Sequence, residues 1–284
     1  DFPGNPLQHR SPLPPTLRTQ GRWAIILPEM TPIHQSPDPA LRAAPTDTRV
    51  PDGCRVYAIG DIHGRADLLG RLHRQIMADA ADAASLRKVA VYLGDYVDRG
   101  PDSAAVIDML INEPLEGFER HLLKGNHEEM MIRFLDVGDG GEMWLMNGAR
   151  DTLDSYGLGV SDIAIYHNDM MGLSEAFAGA IPESHRAFLN GLELHHSEGD
   201  YLFVHAGVLP GVAIKDQSEH DMVWIRDEFT QSNADFGAVV VHGHTIGDEP
   251  VIKANRIGID TGAWRSDRLT ALVLQTNNRR FLRT

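Results

Sequence analysis

The chain has 284 residues, with 26 lysines and arginines against 40 aspartates and glutamates, for a formal charge of −14. That excess of acid argues against nucleic-acid binding, which draws its affinity from cations that neutralise phosphates. A single cysteine, Cys54, excludes an internal disulfide and a thiolate metal cluster.

Residues 1–49 hold 10 of the 16 prolines and 2 of the 27 glycines. Proline removes an amide donor and fixes φ, so this stretch reads as an extended or partly disordered arm. Its one apolar patch, Ile25-Ile26-Leu27, is far too short to span a membrane. No basic segment followed by an apolar core and a cleavage site is visible, so the expectation is a cytoplasmic protein with no membrane partner. Residues 50–284 read as a single catalytic domain.

Within that domain strand and helix signals alternate. Residues 55–59 form an apolar run that stops at Gly60. A helix follows, with Leu68, Leu69, Leu72, Ile76 and Met77 on one face. Residues 89–93 are a second strand ending at Gly94. Pro101 is placed at the first position of the next helix. Leu122-Leu123 lies on a third strand, and a helix follows over about 128–135. This run predicts a parallel sheet with right-handed crossovers. Residues 138–191 read as mostly helical. Strands are expected at 192–197, 200–205, 237–242, 256–260 and 269–275. The fold class is α+β, with two sheets packed face to face as a sandwich and helices outside.

The early strands end in glycine-bounded motifs: Gly60-Asp61-Ile62-His63-Gly64, Gly94-Asp95-Tyr96-Val97-Asp98-Arg99-Gly100 and Gly125-Asn126-His127-Glu128. His205-Ala206-Gly207 and His242-Gly243-His244-Thr245 follow later strands. Ligands of open α/β sheets gather beyond the carboxyl ends of the strands, so five such ends can converge. Carboxylate, imidazole and amide oxygen together suit manganese, iron or zinc. Asp95 is the natural bridge between two cations, with Asp61 and His63 completing one site. Asn126, His205 and His244 complete the other. A hydroxide shared by the two ions is then a nucleophile near neutral pH. The Arg99 guanidinium matches two phosphate oxygens. His127 can protonate a leaving oxygen, oriented by Asp98.

The motifs resemble the signatures GDxHG, GDxVDRG and GNHE of the phosphoprotein phosphatase family, bacterial type, within the calcineurin-like metallophosphoesterases. They match in order at 60–64, 94–100 and 125–128, and the later His-Ala-Gly and Gly-His-Thr elements match at 205–207 and 243–245. The resemblance spans about 54–275. It implies a central β-sandwich flanked by helices and two divalent cations, manganese first, with iron or zinc as alternatives. It also implies a second phosphate-binding arginine, for which Trp224-Ile225-Arg226-Asp227 offers Arg226. The activity implied is in-line hydrolysis of phosphoserine and phosphothreonine in proteins. The Ile259-Asp260-Thr261-Gly262-Ala263 segment is similar to bacterial members, which widens the expectation to phosphotyrosine. A dinucleoside polyphosphate hydrolase is the alternative. In those enzymes the second aspartate of GDxVDRG is often replaced, whereas Asp98 is present here.

The remaining candidates have plainer readings. In His242-Gly243-His244 the family pattern selects His244, leaving His242 in the strand. Glu128 is expected to support its loop or cap its helix. His167, His195 and His196 read as surface residues, and Trp264 as a packed aromatic ahead of one that lines the site. Met130, Met131, Met143, Met146, Met170 and Met171 read as gap-filling core, with a minority reading of 138–180 as a cap over the site. Cys54 reads as a small buried hydrophobe.

Overall fold

The computed structural model describes residues 47–166 and 168–284. Most of the expected arm, residues 1–46, and His167 lie outside the described residues. Strands β1 (Cys54–Ile59), β2 (Arg87–Tyr92) and β3 (Glu119–Leu122) alternate with helices α1 (Ala66–Asp79), α2 (Ser103–Asn112) and α3 (Asn126–Val137). Five helices follow: α4 (Gly141–Met146), α5 (Ala149–Ser155), α6 (Val160–Ile165), α7 (Met170–Ala180) and α8 (Glu183–Asn190). Next come β4 (His195–Glu198), β5 (Tyr201–Val204), α9 (Glu219–Trp224), α10 (Asp227–Thr230) and β6 (Val239–His242). The chain ends with β7 (Val251–Ile252), β8 (Arg256–Gly258), α11 (Ala263–Ser266), β9 (Thr270–Gln275) and β10 (Asn278–Arg283).

The strands form two sheets, ordered β10-β9-β1-β2-β3 and β4-β5-β6-β8-β7. In the first, β1–β2 and β2–β3 are parallel while β1–β9 and β9–β10 are antiparallel. The expected all-parallel sheet is therefore mixed. The strand expected at 269–275 lies between β10 and β1, in the first sheet rather than beside β8 in the second. β1 is central and buried throughout, so both of its edges need partners. The β9–β10 hairpin supplies one, and β10 and the two-residue β7 carry no strong signal in the sequence.

Period-two alternation explains the layers. Val56 and Ala58 of β1 face the second sheet, where they share a core with Phe203 and Val241. Tyr57 and Ile59 face the opposite way, into the core made with Leu69, Leu72 and Ile76 of α1. Leu202, Val204 and Val240 cover the outer face of the second sheet against Met222, Ile225 and Phe229. Cys54 is buried, as expected. Pro101 precedes α2 instead of opening it, because Asp102 occupies the cap position. Met130 and Met131 are buried, but Met143, Met146 and Met171 are exposed on the α4–α7 helices. Helical spacing alone does not say which apolar faces find a partner. Among the described residues no helix is long and apolar enough to cross a membrane.

One core contact makes stability pH-dependent. His73 of α1 is buried, with Nε2 2.9 Å from the Tyr92 hydroxyl. Burial, helped by the Arg120 charge, lowers its pKa from 6.5 to about 4. As pH falls the unfolded chain takes up the proton first, so this stability is complete above 6.5 and is lost on descending toward 4. Urea unfolding of the metal-free protein and of His73→Gln should diverge in slope between pH 7 and 4.5. Across that window the wild type is expected to lose about 2 kcal/mol more than the variant, because its folded imidazole refuses the proton until about pH 4. Parallel curves would show that this imidazole titrates alike in the folded and unfolded states.

Candidate metal centre

The parallel strands set the geometry. β1, β2 and β3 run the same way, as do β5 and β6, so within each sheet their carboxyl ends share an edge. Asp61 and His63 follow β1, while Asp95, Asp98 and Arg99 follow β2. Asn126 and His127 open α3, His205 follows β5, and His244 follows β6. Seven described non-glycine residues have left-handed φ, and five of them belong to this group: His63, Asp95, Asp98, Arg99 and His244. Such a backbone costs an L residue roughly 1–2 kcal/mol and persists where its surroundings over-determine it.

Glu128 is one such surrounding. Its carboxylate accepts from the amides of Asp95 (2.8 Å), Tyr96 (2.8 Å), Val97 (3.3 Å) and Gly125 (2.9 Å). It fastens the second loop to the third, which agrees with the supporting role read from the sequence. Gly125 is required by the approach of that loop, since a Cβ there would lie 2.1 Å from Asp95 Oδ1 and 2.5 Å from its amide nitrogen.

Asp95 lies at the centre. Its Oδ2 is 3.5 Å from His63 Nε2 and 3.9 Å from His127 Nε2, and its Oδ1 is 3.4 Å from His205 Nε2. The Asp95 carboxyl is opposed by burial but held far down by His205, His127, His63 and His244. His205 Nδ1 donates to the Leu93 carbonyl at 2.8 Å, because a carbonyl can only accept. A neutral His205 therefore directs the lone pair of Nε2 at Asn126 Oδ1, 3.0 Å away. Two acceptors this close suit adjacent ligands of one cation lying to the side of both. His63 Nδ1 likewise donates to the Val97 carbonyl (2.8 Å), and its Nε2 is met by Arg99 Nη1 at 2.9 Å.

Other atoms lack partners altogether. Asp61 Oδ1 and His244 Nε2 are buried with no hydrogen bond, while Asp61 Oδ2 accepts from the His244 amide at 3.0 Å. Burial, then Asp260 and Asp95, push the Asp61 carboxyl up. Asp260 is itself pushed to about 6, chiefly by burial. Burial also pushes His63 and His205 down, and His244 to about 2. Three buried carboxylates among neutral imidazoles are costly without cations. Neutral imidazole is also the ligand form. The donor set therefore fits bound divalent cations: Asp95 groups with His205 and His244 on one side and with His63 on the other, where the third member, His127, is the imidazole whose pKa is raised.

His127 and the two arginines border this cluster. His127 Nδ1 donates to Asp98 Oδ2 at 2.6 Å, its ring edge-on to His63. Burial disfavours its imidazolium, but Asp95 and Asp98 outweigh burial and raise the pKa. Arg226 is exposed at the start of α10, its Nη1 3.3 Å from the His244 carbonyl. All ten residues singled out in the sequence thus meet in one place. His242 ends β6 with its ring edge-on to Phe229 and takes no part. Trp264 departs from the packed reading: it is 37% exposed and lies beside Arg99, 5.6 Å from the guanidinium.

Sequence reasoning missed three contributors. Asp260 follows a strand just as the ligand-type residues do, and that position was its signal. Trp144 and Thr152 bond Asp98 from α4 and α5, and no local pattern marks them. A third group, His121, Glu193 and His196, is more exposed. The rings of His121 and His196 stack at 3.5 Å with 19° between planes, so their in-plane lone pairs run parallel instead of converging. His195 and His196 are half-buried on β4 rather than fully at the surface.

Paired parallel strand ends carrying this donor set define a metal-dependent phosphoesterase site. The calcineurin-like phosphoesterase family model matches residues 54–261, and the chain belongs to that family. It is 28% identical over 228 residues to serine/threonine-protein phosphatase 2 of Escherichia coli (strain K12), covering 76% of this chain and 90% of that protein. It is 27% identical over 234 residues to the asymmetrical bis(5'-nucleosyl)-tetraphosphatase PrpE of Bacillus thuringiensis (strain Al Hakam), covering 75% and 88%. A crystal structure of a cold-active protein tyrosine phosphatase shares the fold, with TM-score 0.52 and 16% identity over 86% of this chain and 82% of that one.

Proposed function

We propose that the protein is a phosphoprotein phosphatase that cleaves phosphoserine and phosphothreonine and accepts phosphotyrosine. Asp61, His63, Asp95, Asn126, His205 and His244 would hold two divalent cations, with manganese as the first candidate. Such cations, when bound, supply Lewis-acid charge and bring a water's pKa into the neutral range. Arg99 and Arg226 bind the phosphoryl oxygens, Arg99 as a two-pronged donor. His127 keeps its Nδ1 proton on Asp98 and delivers the Nε2 proton to the departing oxygen. Asp98 holds the ring in that orientation and stabilises its charge.

The 2.6 Å His127–Asp98 pair carries the reading. A serine or threonine alkoxide is a poor leaving group and needs a proton as the bond breaks. A nucleotide released from an anhydride is a much weaker base and needs none. Dinucleoside tetraphosphate hydrolysis is kept as the second reading because PrpE proteins match over 75% of the chain. The two separate in one assay. With manganese present, phosphoserine and phosphothreonine peptides should be turned over with kcat/KM at least about tenfold above that for diadenosine tetraphosphate, a difference of about 1.4 kcal/mol. Preference for the dinucleotide would overturn the reading. Added chelator should abolish both reactions.

A further inference from the structure

We infer that the α4–α5 hairpin positions the acid pair and its neighbouring arginine, with Trp144 of α4 and Thr152 of α5 as the positioning residues. The inference rests on the assignment of His127 as proton donor.

Asp98 and Arg99 are consecutive, and both are left-handed, at φ 70° and 69°. Neither is glycine, so something must hold this two-residue turn. The segment 144–152 does so at four points. Trp144 Nε1 donates to Asp98 Oδ2 at 2.8 Å, the oxygen that also receives His127 Nδ1. Thr152 Oγ1 donates to Asp98 Oδ1 at 2.6 Å and accepts from the Asp98 amide at 2.8 Å. The Gly148 carbonyl accepts from the Arg99 amide at 3.1 Å.

Hydrogen-bond accounting makes the hold specific. The one proton on Thr152 Oγ1 is spent on Asp98, so Ser103 Oγ, 2.9 Å away, must donate to Thr152. The Asp98 amide is shared between Thr152 Oγ1 and Ser103 Oγ (3.0 Å), and of the two only Thr152 also holds the carboxylate. With Thr152 on Oδ1 and Trp144 on Oδ2, the carboxylate plane is set before His127 is considered. Gly148 lets the turn come this close. It lies at φ +106°, and a Cβ there would sit 2.7 Å from Arg99 Cγ and 2.9 Å from Arg99 N.

A buried indole and hydroxyl need partners wherever they are, so a merely structural role is the competing account. Here both converge on the residue that orients His127. The test compares Thr152→Val, which lacks the hydroxyl, with Thr152→Ser, which keeps it. Trp144→Phe removes the N–H donor and shortens the ring, leaving an aromatic side chain that Phe134 and Phe177, at centroid distances of 5.3 and 5.6 Å from the indole, can still pack. In the manganese-loaded enzyme, Thr152→Val and Trp144→Phe should lower kcat on a phosphoserine peptide by roughly tenfold or more, as lost supporting contacts do. On p-nitrophenyl phosphate, whose leaving group scarcely needs a proton, the loss should stay below about threefold. Thr152→Ser should restore the peptide rate.

Proton NMR of the metal-free protein gives a second readout. The hydrogen-bonded His127 Nδ1 proton should be downfield in wild type and Thr152→Ser, and moved or lost in Thr152→Val and Trp144→Phe. Equal losses on both substrates, or an unmoved resonance in a folded Trp144→Phe protein, would overturn the inference. If Thr152→Val does not fold, Trp144→Phe decides alone. A His127→Asn enzyme that loses both substrates equally would instead remove the proton-donor assignment, while the resonance would still report whether Asp98 is positioned.

Discussion

Asp95→Asn is expected to leave the protein without stably bound metal. Elemental analysis after dialysis should find two equivalents in wild type and fewer than one in the variant. The reason lies in the geometry around one carboxylate. Both oxygens face imidazole nitrogens, with His63 and His127 on the Oδ2 side and His205 on the Oδ1 side. Only a carboxylate there can serve two cations with two anionic oxygens, and the amide keeps the shape without the charge. Oδ1 also accepts the His127 amide at 3.1 Å, a bond that an asparagine can retain through its own oxygen. Folding should therefore survive, and thermal unfolding in the presence of chelator should be little changed. Activity should fall by more than about 100-fold, since losing even an outer-shell partner costs roughly 10–100-fold. Two equivalents retained would contradict the proposal that Asp95 serves both cations.

His127→Asn should divide substrates by their leaving groups. A general acid contributes roughly 10²–10⁴-fold. The phosphoserine peptide should lose about that much, whereas p-nitrophenyl phosphate should lose less than about tenfold, because its phenolate leaves readily as the anion. The split distinguishes proton donation from damage to the metal centre. His127 Nε2 lies 3.9 Å from Asp95, so a disturbed centre would depress both substrates together. An equal loss would rule out the acid role.

These residues were readable because their constraints are local. Asp61, His63, Asp95, Asp98, Asn126 and His127 each sit within a few residues of a strand end, bounded by glycines that permit sharp turns. The residue types, the glycines and the preceding apolar run are all adjacent in the chain. The supporting role of Glu128 was legible for the same reason, since it lies three residues from Gly125 and its carboxylate caps that amide.

Other features depended on distant contacts. The partner of β1 at its open edge comes from residues 270–275, more than two hundred positions away, and nothing in either strand names the other. Both strands are apolar on two faces, so pattern alone is compatible with several sheet orders. The exposure of Met143, Met146 and Met171 has the same origin, because an apolar helical face is buried only if packing supplies a neighbour.

Composition and strand-end motifs by themselves pointed to the class of chemistry and to a candidate donor set, and the strand pattern pointed to the two-sheet fold. The acid excess told against nucleic acid, and the placement of histidines and aspartates told for divalent cations. Tertiary structure alone decided what steadies that chemistry. Trp144 and Thr152 lie 46 and 54 residues from Asp98. A buried indole or hydroxyl must find an acceptor, but which acceptor it finds is settled only when the helices pack.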